Sequence, residues 1–126
     1  MRIPYEDDLP LVLIRVVGSS GEKEFKAHLD FAASKTLVPS NVADELNLPF
    51  EGFVPVATGG GTILMPLFKA KVIVFDKSFN IYVACFDLPK ESPIQALLGR
   101  DILDNFEICL NGKNREIIVK ELELPT

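Results

Sequence analysis

Apolar and polar residues alternate through most of this sequence in short runs, and turn-forming residues cut each run before it reaches the length of a stable helix. Successive side chains of a strand point to opposite faces, so a period of two marks strands with one face buried. Residues 11–17 are rich in Leu, Val and Ile. In residues 22–29, Phe25, Ala27 and Leu29 take one face and Glu24, Lys26 and His28 the other, which sets His28 among solvated side chains. Gly18-Ser19-Ser20-Gly21 between these runs is turn chemistry, so the two form a hairpin. Residues 53–58 and 62–75 flank Gly59-Gly60-Gly61, a flexible hairpin tip. Asp76-Lys77-Ser78 turns the chain into a strand over 79–86. Leu37-Val38-Pro39 is a short extended piece and 95–98 a brief apolar strand. Residues 106–110 and 115–120, joined by Asn111-Gly112-Lys113-Asn114, make a last hairpin. Its apolar end, Ile117-Ile118-Val119 with Leu122 and Leu124, reads as an edge strand whose cover would come from pairing of termini in a dimer.

Two helical pieces interrupt the strands. Ser40 reads as an N-cap for 41–48, where Val42, Ala43, Leu46 and Leu48 are apolar, Asp44 and Glu45 suit the positive helix start, and Pro49 follows. Gly99-Arg100-Asp101 leads into one helical turn over 102–105. The expected architecture is a mostly antiparallel β protein with one or two short helices, a single domain over residues 1–126.

Composition removes several classes of function. The charge of −5 argues against a phosphate-binding surface, so no nucleic acid is expected. No apolar run approaches the ~18 residues of a membrane helix, so no membrane partner is expected. The start, Met1-Arg2-Ile3-Pro4-Tyr5-Glu6-Asp7-Asp8, lacks the apolar stretch of a secretory signal, and a cytoplasmic location is the expectation. Cys85 and Cys109 read as buried strand thiols in a reducing compartment. With the lone His28 they are too few for a metal site, so neither metal nor other cofactor is expected.

The segment that carries chemistry is Asp30-Phe31-Ala32-Ala33-Ser34-Lys35-Thr36-Leu37-Val38-Pro39. An aspartate leaves an alternating strand and enters a loop of small residues, which lets another backbone approach closely. On spacing alone Asp30 is also readable as an ordinary turn residue. For a peptide hydrolase of the kind this segment resembles, cleavage without a covalent intermediate needs a base for water and an acid for the amide, and two close carboxylates sharing a proton provide both. Asp76, Asp87 and Asp101 are poor second partners, being at strand ends or in a turn. A twofold homodimer, with one Asp30 from each chain, is the economical solution.

The segment resembles the active-site loop of the retropepsin-like aspartic proteases, whose motif is Asp-Thr/Ser-Gly-Ala-Ser/Thr before an apolar strand. Ala96-Leu97-Leu98-Gly99-Arg100-Asp101-Ile102-Leu103 is similar to the family's second element, and Gly59-Gly60-Gly61 falls where the family has its flap. The resemblance runs from Leu11 to Val119. It implies a closed antiparallel β-barrel of the acid-protease type and a homodimeric endopeptidase acting on a peptide or protein. Asp30 is then the catalytic residue, and Phe31, Ala32, Ala33 and Ser34 form its loop. Thr58, Gly59, Gly60, Gly61, Thr62 and Ile63 become the flap and substrate contacts, and Arg100 and Asp101 support the loop and the dimer. Phe31, Leu37, Ile63, Ile94 and Leu97 are the expected apolar lining. Two positions depart from the pattern. Phe31 stands where the family's hydroxyl braces the two loops and has no polar side-chain atom. Ala32 stands for a glycine, and its methyl is expected to crowd the loop or change its backbone angle. The alternative is therefore a catalytically impaired peptide-binding or dimerisation module of the same fold.

Overall fold

The structure is a computed structural model and describes residues 1–121. Six strands close into a barrel: β2 (Leu11–Gly18), β3 (Gly21–Leu29), β8 (Ala96–Leu98), β4 (Leu37–Val38), β7 (Lys77–Cys85) and β6 (Gly61–Val74), with β6 pairing back to β2. Closure removes the free edges that an open sheet of these strands would expose. Four of the six pairings are antiparallel. The β3–β8 and β4–β7 pairings are parallel, because β8 and β4 are short pieces inserted between strands distant in sequence. β5 (Phe50–Thr58) hangs on β6 outside the ring, and the two extend as a hairpin arm. β1 (Arg2–Pro4), β10 (Glu116–Glu121) and β9 (Phe106–Asn111) form a separate three-stranded sheet.

Alternation builds the core. Val12, Ile14 and Val16 of β2 are buried while Leu13 and Arg15 between them are exposed. Val72 and Val74 of β6 and Val83 of β7 join them. Ile117 and Val119 place one face of the terminal sheet on the same core, and α2 (Arg100–Leu103) seals it with Ile102 and Leu103. Burying side chains of this size contributes about 1.5–3 kcal/mol each.

Several expectations need correction. The first helix, α1, spans only Val42–Glu45 and its N-cap is Asn41. Ser40 does not cap it: its N–H and hydroxyl donate to the Asp87 carboxylate at 2.9 and 2.8 Å, and an ionised carboxylate is the stronger acceptor. Asn47 has a φ of 52°, so the chain leaves the helical path before Pro49. Arg100 and Asp101 belong to the second helix, which ends at Leu103 rather than 105. Cys109 is exposed, since it lies opposite Ile118 on the outward face of the terminal sheet; only Cys85 is buried. β10 is not an edge strand. β1 covers one side of it, pairing Arg2 with Ile118 and Ile3 with Ile117, and β9 covers the other. Leu122 and Leu124 lie outside the described residues. His28 is half-buried, opposite Leu11 of β2 and Leu97 of β8.

Candidate active site

Asp30 is the first residue beyond β3, where the parallel β3–β8 pairing ends. Its N–H donates to the Leu98 carbonyl at 2.9 Å, extending the ladder by one bond. The chain then turns on the Asp30 side chain: Oδ1 accepts from the Ala32 N–H at 3.0 Å, and the Asp30 carbonyl accepts from the Ala33 N–H at 3.3 Å. No residue of the loop has a positive φ, so Ala32 sits there without the left-handed strain that would require glycine.

The loop is pinned from beneath. Thr36 is the one buried polar residue among those described. Its N–H and hydroxyl both donate to the Asp101 carboxylate, at 2.9 and 2.7 Å, and its hydroxyl oxygen accepts from the Gly99 N–H at 3.2 Å. The Arg100 N–H donates to the Ala33 carbonyl at 2.8 Å. Gly99 is needed for this fit: a Cβ there would stand 2.6 Å from the Lys35 carbonyl carbon and oxygen. The turn into α2 thus clamps both ends of the loop, and a half-buried carboxylate taking two donors, one from the buried Thr36 hydroxyl, makes the clamp strong.

Above the loop lies a cleft of about 460 Å³. Asp30, Ala32, Ala33, Ser34 and Lys35 form one side, and Pro55, Val56, Ala57, Thr58 and Met65 of the hairpin arm the other. Leu37, Ala84, Leu88 and Leu97 complete it, and with Met65 they belong to an apolar cluster separate from the main core. Among the described residues lining the cleft, Asp30 is the sole carboxylate and Lys35 the sole cation.

The expected site residues therefore divide. Asp30, Ala32, Ala33, Ser34 and Thr58 meet around the cleft. Phe31 does not line it; its side chain turns outward and is 47% exposed. Gly59, Gly60, Gly61 and Thr62 are exposed at the end of the arm. There a two-residue turn is held by a Thr58 hydroxyl donating to the Gly61 carbonyl at 2.7 Å, and Gly61 has a φ of 116° that glycine alone adopts readily. Ile63 and Ile94 do not line the cleft, and Ile63 packs on the apolar cluster behind it; Leu37 and Leu97 do line it. Arg100 is exposed and makes no ion pair among the described residues, so its backbone rather than its guanidinium supports the loop. Sequence reasoning missed Lys35, Pro55, Val56, Ala57, Met65, Ala84 and Leu88. Met65 was recoverable from strand parity, two positions from Ile63 on the same face. Leu88 lies beyond β7 with no periodic signal.

With this geometry in hand, similarity to known structures is informative. The EIAV protease, solved in complex with the inhibitor HBY-793, superposes with a TM-score of 0.63 at 15% identity, covering 81% of this chain and 92% of its own. A retropepsin-like aspartic protease from Rickettsia conorii gives 0.58 at 21% identity, covering 94% of this chain and 88% of its own. The Simian Foamy Virus (mac) protease gives 0.52 at 18%, covering 75% and 91%.

The fold is retropepsin-like.

No protein-family model matches the sequence, and no curated protein matches it. No helix among the described residues is long and apolar enough to cross a membrane, and no three of their His, Cys, Asp or Glu side chains group as a metal site.

Proposed function

We propose that this chain is one half of a homodimeric aspartic endopeptidase, active in the cytoplasm, that hydrolyses peptide bonds between two Asp30 carboxylates. The observation that carries this reading is a single carboxylate, on a loop clamped from below, in a mainly apolar cleft of a retropepsin-like fold. One carboxylate cannot be base and acid at once, and no other lines the cleft among the described residues. A second copy brings the missing group.

Two carboxylates held side by side keep one proton between them. The ionised member takes a proton from water as the oxygen attacks the peptide carbonyl, and the protonated member donates to the carbonyl oxygen. The tetrahedral intermediate then gives one hydroxyl proton to the ionised carboxylate as that oxygen becomes a carbonyl and the C–N bond breaks, while the protonated carboxyl donates its proton to the departing amine. Water and peptide give one acid and one amine, with the pair restored. The extended substrate lies along the arm, which acts as a flap, and adds a strand to it. Leu37, Val56, Met65 and Leu97 favour apolar side chains beside the cleaved bond.

A second reading is a peptide-binding or dimerisation module without catalysis. It is favoured by Phe31, which offers no hydroxyl for bracing two loops together. Cleavage of an unfolded protein substrate across pH 3–8 separates the two, those limits being about one unit outside ordinary carboxyl and histidine titrations. The enzyme is expected to cleave best in acid, and Asp30→Asn to abolish cleavage while the dimer survives in light scattering. A dimer that binds peptide but never cleaves it supports the second reading.

A further inference from the structure

The charge inside the cleft has a use beyond catalysis. We infer that Lys35 selects an acidic side chain in the bound peptide, making the preferred ligand an extended chain with apolar residues at its centre and an Asp or Glu to one side. This rests on the peptide-binding cleft proposed above, though not on catalysis in it.

Three observations carry it. Lys35 is the one cation among the described residues lining the cleft, where Asp30 is the one anion and the other walls are mainly apolar. None of the ion pairs among the described residues involves Lys35, so the fold has not already spent its charge. Its backbone is also fixed: Gly99 packs against the Lys35 carbonyl, and the next residue, Thr36, is buried and held twice by Asp101. A flexible side chain on a rigid base loses less freedom when it binds than one on a mobile loop.

The half-buried position matters for strength. An ammonium against apolar walls is less screened than one on an open surface. The chain as a whole carries −5, which disfavours acidic ligands at a distance. That field fades over about 8 Å at physiological salt, so the local cation governs once the peptide is seated.

The test uses blocked octapeptides with a central Leu-Phe pair and a single Glu, Gln or Lys moved through each outer position. Binding is measured by fluorescence anisotropy to the full chain carrying Asp30→Asn, so that no peptide is consumed. At one position the Glu peptide is expected to bind about fivefold more tightly than the Gln peptide, the factor that ~1 kcal/mol of ion pairing represents. Lys35→Met should remove the preference, Lys35→Arg keep it, and Lys35→Glu reverse it toward the Lys peptide. Urea unfolding of each variant shows that it is folded. Equal binding of the three peptides at every position, a preference that survives Lys35→Glu, or binding of none of them overturns the inference. Cleavage of the same peptides by the unmutated chain is scored separately: an acidic preference in binding without any cleavage contradicts the endopeptidase reading and supports this one.

Discussion

The hydroxyl of Thr36 joins three parts of the site, because it donates to Asp101 and accepts from Gly99 while its own N–H also bonds Asp101. Thr36→Val keeps the shape but strands the Gly99 N–H and one carboxylate oxygen. A buried polar group left without a partner costs about 1–3 kcal/mol, so urea unfolding should show a loss near 2 kcal/mol. Thr36→Ser should lose less, since it keeps all three bonds. Gly99→Ala should also destabilise, by about 1–3 kcal/mol, because its methyl meets the Lys35 backbone rather than a side chain that can move. Asp30 and Asp101 were legible in the sequence from their settings, one after a strand and one in a Gly-Arg-Asp turn. Their different duties came from the family resemblance and not from spacing. Which carboxylate faces a cleft and which faces a buried hydroxyl depends on strands brought together from distant parts of the chain.

At the level of elements, periodicity located most strands well, since burial of alternate residues leaves a direct trace. The β2–β3 hairpin begins and ends within a residue of its expected bounds. Capping was less legible. Ser40 has the right chemistry for an N-cap, but Asp87 arrives from the end of β7 and takes both its N–H and its hydroxyl. These bonds hold the exposed Asp87 carboxyl below its usual pKa, the Ser40 N–H having the larger effect. A lowered folded pKa means stability present above the unfolded value near 4 and lost as pH falls through the folded one. Comparing urea midpoints of the wild type and Asp87→Asn should therefore show a gap at pH 6 that closes as the solution becomes strongly acidic. The cysteines make a second test. Burial pushes the Cys85 thiol up to about 12, while Cys109 is exposed. Iodoacetamide at pH 8 should modify Cys109 alone in the folded protein and both thiols in urea, as read by mass. β1 left no signal, because three residues ending in proline acquire strand structure only through β10.

For the whole molecule, a mostly antiparallel β architecture followed from many short alternating runs, whereas closure of six strands into a barrel was implied only by the family resemblance and the two parallel pairings by neither. Parallel neighbours separated by long stretches of chain carry no local mark. The departures at Phe31 and Ala32 are also clearer at this scale. Ala32 lies in a loop lining the cleft without a positive φ, whereas Phe31 is exposed beside Asp30. Changing Phe31→Thr with Ala32→Gly should raise activity if the unusual pair impairs the site, and kcat/KM for one peptide measures it. In the proposed enzyme, each active site takes one Asp30 from each of two chains. Wild-type and Asp30→Asn chains, unfolded together in equal amounts and refolded at fixed total concentration, test it most directly. Random pairing leaves wild-type homodimers as about one quarter of the dimers, so activity should fall to about a quarter of that of wild type alone. A fall to only about one half would mean that each chain works by itself, and would contradict the shared site.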